Sequence, residues 1–209
     1  MGLLKLLTAD PLTFALIAIP LLFSVIIHEV AHGWVAYRMG DPTAKWSGRL
    51  TLNPLSHLDP IGTLMLFLAG FGWAKPVPVN FNNLTDKRKG LIFVSSAGVV
   101  ANILLAFLAV LFLRLFSASS SEMAVVSKAC TYVAHINITL AALNLIPIPP
   151  LDGSKILMGI TWKRTPSFLT RLEPYGFFII IGLLYLGILD PLIRLFGWII
   201  VTLIQILLP

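Results

Sequence analysis

Residues 12–34 form one apolar run whose only ionisable side chains are His28, Glu29 and His32. A run of this length crosses the roughly 30 Å hydrocarbon core of a bilayer as a helix. In lipid every backbone N–H and C=O must be satisfied by the protein itself, which leaves the helix as the spanning form for a single segment. Ionisable groups at that depth are costly and by default mark function. The composition agrees with a membrane chain. Of 209 residues, 57% are hydrophobic and 11% charged, about half the charge of an average soluble domain. A soluble fold of this size has too little interior to hide so much apolar surface. The net charge of +6 could signal nucleic acid in a soluble protein. Here the bases sit in short loops between apolar runs, and the aromatics lie within those runs. That distribution follows the positive-inside rule and excludes nucleic-acid binding.

Helix one is expected over residues 11–39, with Pro11 in its first turn, Pro20 as a kink and Gly40, Asp41 and Pro42 as its stop. The run passes through the histidines without a small-residue cleavage site, so it reads as a retained helix and not a leader. Residues 46–56 alternate in part and predict a small β-hairpin or irregular loop. Residues 61–73 are apolar but too short to span, and read as re-entrant. Pro76 and Pro78 predict an extended edge segment over 76–80. Helix two is expected over 90–116 and helix three over 123–145. A break at Pro147, Pro149 and Pro150 then leads to Asp152 and Gly153. Residues 154–172 read as amphipathic or loop. Two runs, 175–189 and 192–208, read as a C-terminal hairpin, each near the lower length limit for spanning. The fold class is thus an all-α polytopic membrane protein: about three transmembrane helices plus a C-terminal helical hairpin, with a small β-hairpin and re-entrant segment between helices one and two. One domain covers 1–209, its catalytic core about 11–158 and its membrane hairpin about 173–209. The single cysteine, Cys130, excludes an internal disulfide and a four-cysteine metal site.

The bases orient these segments. Arg38, Lys45 and Arg49 follow helix one, Lys87, Arg88 and Lys89 precede helix two, and Lys155, Lys163, Arg164 and Arg171 follow helix three. The loop 117–122 carries no base. The three basic sets therefore face the cytoplasm and the N-terminus lies outside.

On a helix, residues i and i+4 share a face about 6 Å apart, so His28 and His32 can present two imidazoles to one metal. Zinc favours nitrogen ligands, and a catalytic site keeps one position open for water. Glu29 is turned about 100° from His28, beside the metal and off it, where it can take a proton from the bound water. His-Glu-x-x-His on a helix is the arrangement of zinc proteases. A third ligand must come from elsewhere, and His57, Glu122, His135 and Asp152 are the candidates. Asp152 is the best placed, at a broken helix end where irregular backbone can line a cavity. An ordinary Asp-Gly turn explains Asp152 and Gly153 equally well. Asn102 and Asn144 are polar groups at membrane depth, suited to interhelical hydrogen bonds or to orienting substrate or an oxyanion. His57 is either a substrate-site group or a hydrogen-bonded loop histidine.

Two separated motifs carry a resemblance. His28-Glu29-Val30-Ala31-His32 is followed two helices later by Asn144-Leu145-Ile146-Pro147, with Asp152-Gly153 closing the second motif. This pairing, in this order, resembles the site-2 protease family of intramembrane zinc metalloproteases. Residues 53–63 and 72–80 resemble its compact prokaryotic type without PDZ or CBS domain, and loop 117–122 is too short to hold one. The resemblance implies one zinc per chain, with His28, His32 and Asp152 as ligands and Glu29 as catalytic base. Asn144 belongs to the matched motif and becomes a candidate for substrate or oxyanion contact, whereas Asn102 and His57 stay open between that role and a structural one. It further implies a multi-pass protein of the cell membrane, a site open toward the cytoplasm, and a transmembrane protein substrate cut in regulated intramembrane proteolysis. The rival reading is a non-enzymatic membrane metal carrier or sensor with the same ligands. A carrier needs no general base, and the internal symmetry common in transporters is missing from this sequence.

Overall fold

The computed structural model describes residues 3–69, 72–116, 121–162 and 171–208. It is helical, in keeping with the sequence. Helix α1, Leu3–Ala9, leads into α2, Pro11–Arg38. Asp10 caps α2 by accepting from the Thr13 amide, and the helix continues through Pro20. Helix α3 is short, Thr43–Trp46, and α4 runs Pro60–Ala69. Helix α5, Lys87–Leu115, starts where the Asp86 carboxylate accepts from the Lys89 amide, so the basic cluster forms its first turn. Helix α6 is Ser121–Asn144 and α7 is Asp152–Thr161. Helices α8, Gly176–Tyr185, and α9, Asp190–Leu207, finish the chain.

Three of these helices, α2, α5 and α9, are long and apolar enough to cross a membrane. The C-terminal pair is therefore unequal: α9 can span, whereas the ten residues of α8 cannot. The loop 117–122 lies largely outside the described residues, as do Lys163 and Arg164.

The expected β-hairpin at 46–56 does not form. The amides of Trp46, Ser47 and Arg49 are taken by the nearby carbonyls of Pro42, Thr43 and Ala44. Asn53 accepts from the Leu55 amide and starts a single 3-10 turn, Pro54–Ser56. Local turns thus use the donors that a ladder would need. Among the described residues the one strand-like pairing is an isolated antiparallel bridge, Leu58 with Ala74.

Helix α5 is central. It packs against α2, α6 and α7, while α6 also packs against α2 and α9. The buried face of α5 includes Gly90, Ser95, Gly98, Asn102, Ala106 and Ala109, small residues that let helices approach closely where lipid offers no hydrophobic drive. Val99, Ala106, Ala141, Ile200 and Ile204 form the core between α5, α6 and α9.

Candidate metal centre and its family

His28 and His32 lie on the buried face of α2, 7% and 9% exposed. They sit six or more residues before the helix end at Arg38, so the site is about 9 Å or more inside that end. Their Nε2 atoms are 3.0 Å apart. Pro147, Pro149 and Pro150 stop α6, since proline offers no amide and disfavours helix at the preceding residue. The chain turns, α7 begins, and Asp152 Oδ2 arrives 3.2 Å from both Nε2 atoms. Gly153 permits this turn, because a Cβ there would press on the carbonyl oxygens of Leu145 and Ile146.

The chemistry of the three atoms decides what they can hold. His28 Nδ1 lies 2.6 Å from Asn102 Oδ1, and His32 Nδ1 lies 2.6 Å from the Val94 carbonyl oxygen. Both partner atoms are acceptors, so each ring can carry its hydrogen on Nδ1 and turn a lone pair out from Nε2. Two lone pairs and a carboxylate oxygen can therefore converge, and among the described residues no hydrogen bond reaches Asp152 Oδ2. Three acceptors at this distance repel one another unless a cation lies between them. A tetrahedral site with bonds of about 2.0–2.1 Å has ligand-to-ligand edges of roughly 3.3 Å, close to the edges seen here. The donor set fits a divalent metal such as zinc. Gly98 on α5 packs directly against the pair, and a Cβ there would sit 2.5 Å from His28 Cε1 and from His32 Nε2.

Glu29 stands beside the triad. Its Oε2 accepts from the Val77 amide at 2.8 Å. The two histidines, Glu29 and Asp152 line a cavity of about 290 Å³ with Val77, Val79, Ser95 and Asn144. Asn144 donates one amide hydrogen to the Leu140 carbonyl at 2.9 Å. Asn102 is fully buried, and its second contact runs to Asn137, away from the cavity lining. His57 is also fully buried, its Nε2 bonded to the Thr51 carbonyl, and it does not line this cavity. His135 makes a backbone contact with Thr139 and stays outside the triad.

Three residues carry more than the sequence reading assigned. Ser95 is 1% exposed, lines the cavity and has a hydroxyl without a hydrogen-bond partner among the described residues. Asn137 and Ser24 are buried behind Asn102. Their only sequence signal is polarity inside apolar runs, which marks a residue without saying which neighbour it faces.

Helices long and apolar enough to span a bilayer, around a buried triad that could hold a metal and with a carboxylate beside it, fit one class: membrane metalloproteases. Peptidase family M50 matches over residues 114–186. YwhC of Bacillus subtilis (strain 168) is 41% identical over 172 residues, 80% of this chain and 78% of the relative. Rip2 of Mycolicibacterium smegmatis is 32% identical over 177 residues, 82% of this chain and 67% of the relative. Rip2 of Mycobacterium tuberculosis (strain ATCC 25618 / H37Rv) is 35% identical over 156 residues, 70% of this chain and 59% of the relative. All three are named as proposed zinc metalloproteases. No solved structure matches the chain. The chain belongs to Peptidase family M50, the site-2 protease family, and is a multi-pass membrane protein.

Proposed function

We propose that this protein is an intramembrane zinc endopeptidase that cuts a transmembrane segment of another membrane protein in regulated intramembrane proteolysis. The observation that carries the reading is the convergence of His28 Nε2, His32 Nε2 and Asp152 Oδ2, acceptors all, beside Glu29. His28, His32 and Asp152 would hold the metal. Zinc bound there supplies Lewis-acid chemistry, lowering the pKa of a water and polarising the scissile carbonyl. Glu29 takes the proton of the attacking water and passes it to the leaving nitrogen. Its Oε2 is held by the Val77 amide, which leaves the other oxygen for the water.

The substrate must unwind to expose its carbonyls. In extended chain, alternate residues turn their main-chain groups to the same edge. Val77 donates to Glu29, and Asn80, an odd number of residues on, donates to Asp41. The edge formed by Val77 and Val79 therefore runs along the catalytic carboxylate. An unwound segment added to it as a strand would lie with its backbone beside Glu29. Its peptide groups would meet Ser95 Oγ and the remaining amide hydrogen of Asn144. Asn102 serves His28, and His57 holds the neighbouring loop. The three basic sets support a cavity open toward the cytoplasm of a cell membrane.

The test is the set of membrane-protein fragments in cells carrying Glu29→Gln against unmodified protein, with zinc content measured on each purified protein. Glu29→Gln should keep its zinc and lose the fragments. Identical fragments in both cells would refute the enzyme.

A further inference from the structure

Behind His28 a chain of hydrogen bonds crosses three helices. His28 Nδ1 meets Asn102 Oδ1 at 2.6 Å, and Asn102 Nδ2 donates to Asn137 Oδ1 at 2.7 Å. Asn137 Nδ2 donates to Ser24 Oγ and to the Val133 carbonyl, both at 2.8 Å. Asn102 and Asn137 are fully buried and Ser24 is 3% exposed, so water does not compete for these groups.

An amide side chain can be turned over, exchanging its acceptor for its donor. What prevents that here is the far end of the chain. The Val133 carbonyl can only accept, so the Asn137 atom against it must be nitrogen. Asn137 then turns its oxygen to Asn102. Asn102 must answer with its nitrogen, and its oxygen faces His28. His28 must in turn carry its hydrogen on Nδ1. A backbone carbonyl on α6 thereby sets which nitrogen of His28 is free for metal.

We propose that Asn137 is a positioning residue for the metal site, holding His28 in its metal-binding tautomer through Asn102. This rests on the metal-site reading above. Partners that orient a ligating histidine are typically worth 10–100-fold in metal affinity. Asn137 differs from an ordinary packing asparagine in one respect: its effect depends on an acceptor facing Asn102 and not on volume.

Two variants separate these roles. Asn137→Leu keeps the size and removes the acceptor. Asn137→Asp, protonated in this buried setting, keeps an acceptor for Asn102 and a donor for Val133. Zinc affinity is read by chelator competition on detergent-purified protein. Asn137→Leu should bind zinc 10–100-fold more weakly, with Asn137→Asp within about 3-fold of the unmodified protein, an allowance of about 0.6 kcal/mol. Equal affinity of Asn137→Leu and the unmodified protein overturns the proposal, as does equal weakening by both variants. A second measurement needs no variant: nitrogen-15 histidine spectra of the metal-free protein at neutral pH. His28 should carry its hydrogen on Nδ1, and a hydrogen on Nε2 overturns the proposal. Absence of zinc binding by the unmodified protein would instead sink the metal reading, while the spectra would still decide the tautomer.

Discussion

Where one nitrogen of an imidazole carries hydrogen, the other is left to bind a metal, and this choice shapes the whole site. His28 and His32 are directed by different partners, an asparagine side chain and a backbone carbonyl. Both belong to α5, which brings Gly98 between them. Gly98→Ala should therefore displace at least one ring, since its Cβ would lie 2.5 Å from atoms of each. Zinc affinity should fall by about 10–100-fold, the scale for disturbing a ligand's orientation, and proteolysis should fall with it. Gly182→Ala is the control, because nothing lies within 4 Å of its Cβ. Chelator competition on both proteins checks the contrast, and equal affinities would show that the rings have room. Ser95→Ala should act differently. Its hydroxyl has no hydrogen-bond partner among the described residues, so zinc should stay bound while cleavage slows.

At the scale of elements, the segment after α2 aims Glu29. Asp41 is fully buried and accepts from the Thr43 amide and hydroxyl, the Asn80 amide and the Asn83 side chain. It thus ties the end of α2 to the segment whose Val77 amide holds Glu29, the proposed base. Burial pushes the Asp41 carboxyl up, but the hydrogen bonds from Thr43, Asn83 and Asn80 outweigh it and leave its pKa below the ordinary value. A lowered folded-state pKa stabilises the fold above the unfolded value, and that contribution fades as pH drops through the folded one. Asp41→Ala leaves buried donors unmatched, at about 1–3 kcal/mol. It should lower thermal stability and cleavage while leaving zinc content intact, since among the described residues Asp41 bonds to Thr43, Asn80 and Asn83 and not to the proposed ligands. Loss of zinc in this variant would mean that the segment supports the triad and not only the base. Element boundaries were legible where the signals were local: Pro11 opens α2, and the prolines after Asn144 close α6. Alternation over 46–56 is a weak signal for a hairpin, because amides of this segment are taken by local turns.

For the whole molecule, the proposed orientation is open to direct measurement. With Cys130→Ser as background, Ser47→Cys and Val125→Cys place single thiols at exposed positions near opposite ends of the long helices. A membrane-impermeant maleimide on intact cells should label position 125 and spare position 47, with the reverse in inverted vesicles. The opposite pattern would turn the site to the outside. The apolar runs, the bases between them and the helical spacing of His28, Glu29 and His32 were all legible in the sequence. Each follows from a local rule, either bilayer thickness or the 3.6-residue turn. The motif resemblance could nominate Asp152, but only the packing of α7 against α5 brings its carboxylate to both imidazoles. Contacts such as His28 with Asn102, 74 residues apart, and Glu29 with Val77, 48 apart, obey no local periodicity. Three helices must first agree on how closely they approach, and the small residues of α5 set that distance.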